Sequence, residues 1–249
     1  MSEKIVVVTG ASSGIGAALA VLLASRGVRV VLVARRSAPL EAVAGECRGL
    51  AQVVTGDMAL RADVRRVVSA AVATAGRIDV WVNNVGQGIT RAPSTLTEED
   101  IDEMIRINVK SALYGMQEVL PHFKARGEGH IINLSSMLGR IPYALPRAAY
   151  SGAKHFLNAL TANFREEVQQ THPRIQFSLV SPGLVYTNFG SNAIHGGPDS
   201  REMPDGQPSE EVAAVIASVI DTRAPDVYTR PGSRDRVLGY YASLGTDPA

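Results

Sequence analysis

Cysteine is nearly absent: Cys47 stands alone. One thiol cannot close an internal disulfide, and no Cys/His group has the spacing of a metal site, so no metal is expected. Long apolar runs are missing too. None approaches the roughly 18 residues that a bilayer-spanning helix needs. The opening MSEKIVVVTGASSG passes from charge through a short apolar stretch to glycines, unlike the extended apolar region of a secretory signal. Nor does charge of one sign dominate. Lys+Arg number 25 against Asp+Glu 24, a formal net charge of +1, where a nucleic-acid binder shows a basic excess. The arginines are scattered and accompanied by acids, as on a solvated surface. The expectation is a soluble cytoplasmic protein with neither membrane nor nucleic acid as partner.

What is present is apolar volume and alternation. Forty-five per cent of the 249 residues are hydrophobic, enough for one large α/β domain or two small ones. Short β-branched runs occur at Ile5–Thr9, Val28–Val33, Ala51–Thr55, Ile78–Asn83, His130–Leu134 and Ile175–Ser181, with a last short one at Val227–Thr229. Helical patterns lie between them at Gly14–Ser25, Pro39–Gly49, Arg61–Ala75, Glu98–Arg126 and Tyr150–Gln170. Near-continuous apolar strands separated by helices predict a parallel sheet covered on both faces. No repeat and no Pro/Ser-rich linker divides the chain, so a single domain is expected over 1–249. The irregular stretch 187–209, rich in Gly, Pro and Asn, has the length of a lid or binding loop. A helix restarts at Ser209, with Ser followed by Glu as an N-cap signal.

VVVTGASSGIGAALA places Gly10, Gly14 and Gly16 between the first strand and the first helix. Such a turn lets backbone approach a pyrophosphate, and the helix N-terminus offers unpaired N–H groups with a positive dipole end. The spacing is G-x-x-x-G-x-G rather than the commoner dinucleotide pattern. An NAD site has an acid about 20 residues further on, accepting from the ribose hydroxyls. Here Ala34, Arg35 and Arg36 stand in its place. Guanidinium groups attract a 2′-phosphate and bind it bidentately, which predicts NADP over NAD.

AAYSGAKHF sets Tyr150 four residues before Lys154, on one helix face. With seven tyrosines and only four lysines in the chain, the chance count of such a pair is about 0.1 on flat composition. A free tyrosine has a pKa near 10 and is a poor base at neutral pH. A cation one turn away stabilises the phenolate. Lowering its pKa by about three units needs roughly 4 kcal/mol.

Taken in order, these motifs resemble the short-chain dehydrogenase/reductase family over nearly the whole chain. TGASSGIG, Thr9 to Gly16, resembles its cofactor loop and includes Ser12, Ser13 and Ile15; NNVG, Asn83 to Gly86, resembles its Asn-Asn-Ala-Gly motif. INV centred on Asn108, INLSS ending at Ser136, YSGAK and SPGLVYTNF complete the series. Two departures stand out. Ser136 precedes Tyr150 by fourteen residues where thirteen is common, and the C-terminal Asp-Gly-Gly is replaced by APDVYTRPGSRDRVLGYYASLG.

The resemblance implies a Rossmann-type doubly wound sheet and hydride transfer between NADP(H) and a ketone or secondary alcohol, reduction preferred. It implies that Tyr150 moves the proton, Ser136 bonds the carbonyl oxygen, Lys154 also binds the nicotinamide ribose, and Asn108 holds a water for proton resupply. By the same resemblance Asp57 and Met58 contact the adenine, and Asn83 with the Gly86 region approaches the adenosine ribose. Pro182, Gly183, Val185 and Thr187 line the nicotinamide. The candidate substrate walls are Met137, Leu138, Ile141, Tyr143, Leu145, Phe189, Ile194 and Met203, which suit a hydrophobic substrate; His195 is a candidate polar contact. Family members pair helices equivalent to Glu98–Arg126 and Tyr150–Gln170, so a homodimer or homotetramer is expected. Two rivals are an NADP-binding sensor without turnover and a sugar-nucleotide epimerase or dehydratase. The sensor has no need of Ser136, Tyr150 and Lys154 together, and the epimerases are longer chains.

Overall fold

The computed structural model describes residues 4–245. Seven parallel strands form one sheet: β1 (Ile5–Thr9), β2 (Arg29–Ala34), β3 (Ala51–Thr55), β4 (Val80–Asn83), β5 (Gly129–Leu134), β6 (Ile175–Ser181) and β7 (Asp226–Tyr228). Their spatial order is β3-β2-β1-β4-β5-β6-β7. The strands are apolar along their length because both faces are buried. Val6 and Val8 of β1 face a layer made by α1 (Gly14–Ser25), α2 (Ser37–Glu46) and α7 (Ser209–Thr222). Ile5 and Val7 face the opposite layer, where α3 (Arg61–Ala75), α5 (Ser111–Arg126) and α6 (Ala148–Gln169) pack. The order reverses between β1 and β4, and that reversal opens a crevice at the strands' carboxyl ends.

Three expectations need correction. The helix expected over Glu98–Arg126 is divided: α4 (Glu98–Ile105) passes through a π-helical turn, Arg106–Lys110, before α5 begins. Asn108 lies at the centre of that turn. Its Nδ2 donates to Met104 O, 3.2 Å, and across to Gln87 O, 3.0 Å. The side chain thus competes with the regular ladder and widens it. Second, Ser209 is the first helical residue of α7 rather than its cap; Pro208 holds the N-cap position, without a side-chain bond. Third, a helix α8 (Ser233–Ala242) follows β7 where none is read from the sequence. Only Val237 of it is buried, so it carries no apolar stripe to announce it.

A buried histidine gives the sheet an acid weakness. His130 is fully buried in β5, and its Nε2 lies 2.8 Å from Ser178 Oγ. The Ser178 hydroxyl donates its one proton to Ala224 O, 2.7 Å. His130 therefore donates from Nε2, leaving Nδ1 buried and unpartnered. Burial pushes its pKa down from 6.5 to about 3. Between those values the unfolded chain binds a proton that the folded chain refuses, so stability falls as pH drops through 6.5. From pH 6.5 to 5 the loss from this group is about 1.6 kcal/mol. In urea titrations His130→Gln should flatten that part of the stability–pH curve; curves of equal slope would contradict the assignment.

Candidate active site

The crevice begins at Thr9. Its hydroxyl donates to Val82 O and accepts from the Asn84 N–H, both at 3.0 Å. Asn84 Nδ2 donates to Thr9 O and Gly10 O at 3.0 and 3.1 Å, tying β4 to the glycine turn. Gly10 and Gly14 have φ of +65° and +55°, values that cost other residues energy. At Gly16 a Cβ would lie 2.4 Å from Gly10 O, so only glycine lets α1 start this close to the turn. Ser13, the N-cap of α1, makes no side-chain cap bond, and no acid stands in the first turn. The N–H groups at this helix end are left for an anion.

Above this turn lies one cavity of about 880 Å³. Gly10, Ser12, Ser13, Gly14 and Ile15 line one end, with Arg35, Arg36, Asp57 and Met58 beside them. Both arginines are exposed at the β2 terminus. Asp57 Oδ1 accepts from the Ala59 N–H, 2.9 Å, and its other oxygen lies 3.6 Å from Arg106. These groups, with glycines that admit a pyrophosphate, fit a dinucleotide.

Ser136, Tyr150 and Lys154 meet at the other end, with Gly86, Pro182, Gly183, Val185 and Thr187. Ser135 and Ser136 divide their tasks. Ser135 Oγ donates to Asn158 Oδ1, 2.5 Å, whereas Ser136 Oγ accepts from the Leu138 N–H, 3.1 Å, and faces the tyrosine. Lys154 lies one turn after Tyr150, its Nζ 5.7 Å from the ring centroid. That ammonium donates to Leu134 O at 2.8 Å.

The expected depression of the tyrosine pKa is not found. Burial pushes the Tyr150 phenol up to about 12, opposed by the Ser136 hydroxyl and the Arg147 charge. Lys154 is itself buried, which brings its pKa down to about 8. Desolvation of the phenolate outweighs a cation at this distance. In the free protein Tyr150 therefore holds its proton throughout the neutral range.

Two predicted site residues turn away from the cavity. Asn83 is buried, accepting from Trp81 Nε1 at 2.7 Å and donating to Asn133 Oδ1 at 2.8 Å. Asn133 passes the network on to Thr161 at 2.8 Å. It is the neighbouring Asn84 that lines the crevice. Asn108 is fully buried, and its Oδ1 accepts from the Gln87 N–H, 3.1 Å. With both amide hydrogens also committed, the side chain holds the Gly86–Gln87 wall.

The loop 182–208 folds over the cavity. Thr187 reaches the glycine turn, where its Cγ2 is 3.1 Å from a Cβ position at Gly14. Ile194 bridges to Ile89, and His195 Nε2 lies 2.7 Å from Asp100 Oδ1. His195 is thus a loop fastening outside the cavity lining. Of the expected walls, Leu138, Tyr143, Phe189 and Met203 line it. Met137 and Ile141 pack instead against Val237 of α8, and Leu145 is exposed.

A family model described as short chain dehydrogenase matches residues 4–196. The chain belongs to the short-chain dehydrogenase family. An uncharacterized oxidoreductase of Staphylococcus epidermidis is 35% identical over 187 residues, covering 75% of this chain and 80% of the relative. A short-chain dehydrogenase/reductase from Burkholderia phymatum, solved with NAD, superposes with a TM-score of 0.88 at 22% identity, covering 100% of this chain and 98% of that one. An alcohol dehydrogenase from Thermococcus sibiricus, solved with 5-hydroxy-NADP, has a TM-score of 0.78 at 27% identity and covers 90% and 95%. The chain is therefore an oxidoreductase of this family.

Within this short-chain dehydrogenase, the cavity lining also includes polar residues outside the motifs. Arg106 of the π turn stands at the dinucleotide end, and Thr90 and Arg147 at the other. Arg147 is the N-cap residue of α6, three residues before Tyr150.

Proposed function

We propose that this oxidoreductase reduces a carbonyl compound with NADPH, yielding a secondary alcohol. The observation that carries the reading is a buried, protonated Tyr150 beside the Ser136 hydroxyl, in one cavity with a glycine turn flanked by Arg35 and Arg36. Bound there, the reduced nicotinamide supplies a hydride. Tyr150 gives its proton to the oxygen as negative charge develops, and Ser136 donates a hydrogen bond to the same oxygen. Lys154, anchored on Leu134 O, keeps positive charge near the phenol as it ionises. Asn108 positions the wall opposite. A phenol that burial keeps protonated can donate to a carbonyl oxygen, and reduction is the preferred direction. Arg35 and Arg36 hold the 2′-phosphate, selecting NADP(H), and the 187–209 loop closes over the substrate. The reading includes a cytoplasmic homodimer or homotetramer joined through α4, α5 and α6, where Ile101 and Phe156 lie exposed. The test is a screen of ketones, quinones and sugars for carbonyl-dependent NADPH oxidation. A hit with NADPH supports the reading; uniform inactivity with demonstrated cofactor binding would favour a sensor.

A further inference from the structure

One arginine, Arg147, lines the Tyr150 end of the cavity, apart from the exposed Arg35 and Arg36 of the dinucleotide end. Arg147 is half-buried, and burial disfavours its charged form. Among the described residues its one side-chain hydrogen bond runs from Nη1 to Ile89 O, 3.0 Å. No carboxylate among the described residues pairs with it, whereas Arg91 has Asp100 and Arg106 has Glu103. Arg165 likewise sits partly buried without an acid in hydrogen-bond range, but it spends its donors on two carbonyls, Phe177 O and Pro225 O. Arg147 keeps most of its guanidinium edge free and lines the cavity.

The surroundings make room for that edge. A Cβ at Gly88 would stand 2.6 Å from Arg147 Nη1. A Cβ at Gly197 would stand 3.2 Å from Nη2 and 2.8 Å from Thr90 Oγ1. Thr90 Oγ1 is itself buried without a hydrogen-bond partner. Arg147 Nη2 and the unpaired Thr90 Oγ1 thus both lie near Gly197, and Phe189 stands beside Gly88. Tethering a loop needs one neutral donor. A desolvated cation beside an unsatisfied hydroxyl is costly unless an anion completes it.

Resting on the reductase reading, we infer that the carbonyl substrate carries a carboxylate, bound by Arg147 while Tyr150 and Ser136 hold the reacting oxygen. The planar guanidinium matches a carboxylate bidentately. This changes the substrate expected from the apolar walls alone: the site takes an oxo acid with an apolar body.

The test compares phenylglyoxylate and levulinate with their methyl esters. In the native protein each acid should exceed its ester in kcat/KM by about 10- to 100-fold. Arg147→Met should bring that ratio close to one, mainly through KM, and Arg147→Lys should retain part of it. Unchanged NADPH affinity in the variants shows that they are folded. Calorimetry of the same acids and esters on the protein saturated with NADP⁺ reads the preference without turnover. An acid bound no more tightly than its ester, or a preference that survives Arg147→Met, overturns the inference. Reduction of esters and acids alike would leave the reductase reading standing while removing this one. Failure to reduce any carbonyl, with acids still preferred in calorimetry, would do the reverse.

Discussion

Tyr150→Phe is expected to lower turnover by about 10²–10⁴ while leaving NADPH affinity within a few-fold of native. The ring is packed against Phe189 in an edge-on pair, centroids 5.4 Å apart, and that packing survives the substitution. The lost atom is the hydroxyl, which carries the transferred proton. In the proposed reaction Ser136 keeps its own proton in a hydrogen bond to the substrate oxygen, and Lys154 is turned to Leu134 O. Neither stands ready to replace the phenol. The measurement is steady-state reduction beside a fluorescence titration with NADPH. Near-normal turnover would remove Tyr150 from the chemistry.

The joint replacement Arg35→Ala with Arg36→Ala is expected to weaken NADPH by about 10²–10³, with NADH changed by no more than a few-fold. Hydrogen bonds to charged groups contribute about 1.5–3 kcal/mol each, and two guanidinium groups without ion-pair partners among the described residues stand at the β2 terminus. Their neighbours set the sign. Asp57, the acid at this end, is occupied by the Ala59 N–H and faces Arg106, so it offers little to a ribose hydroxyl. Titration of both cofactors with native and variant protein checks the claim. Equal losses for the two would show that the arginines are not reading the phosphate.

The alternation of apolar runs and amphipathic segments was enough to read the doubly wound sheet, because burial on both faces writes itself into β1 as unbroken Ile5–Val8. The glycine turn was legible for a similar reason: close approach and positive φ leave few residue choices. What could not be read were partnerships across long separations. The π turn at Asn108 depends on Gln87, 21 residues away, and no helical period encodes it. Asn83 and Asn84 are adjacent and alike in sequence; only the strand's pleat decides that one enters the core network and the other the crevice. The Tyr150 pKa failed for a different reason. Sequence spacing shows the cation but not the lost water, and here the lost water dominates. Arg147 became informative only when every acid that could have paired with it was seen to lie elsewhere.

In the proposed reaction hydride and proton both end on the substrate, with Tyr150 as proton donor. It is tested most directly by reducing a carbonyl substrate with NADPH deuterated at the transferring C4 position and weighing the alcohol. The account predicts one deuterium in each product molecule, one oxidised cofactor per turnover, and both signals nearly abolished in Tyr150→Phe. Product formed without deuterium, or with the cofactor recovered reduced, would contradict it.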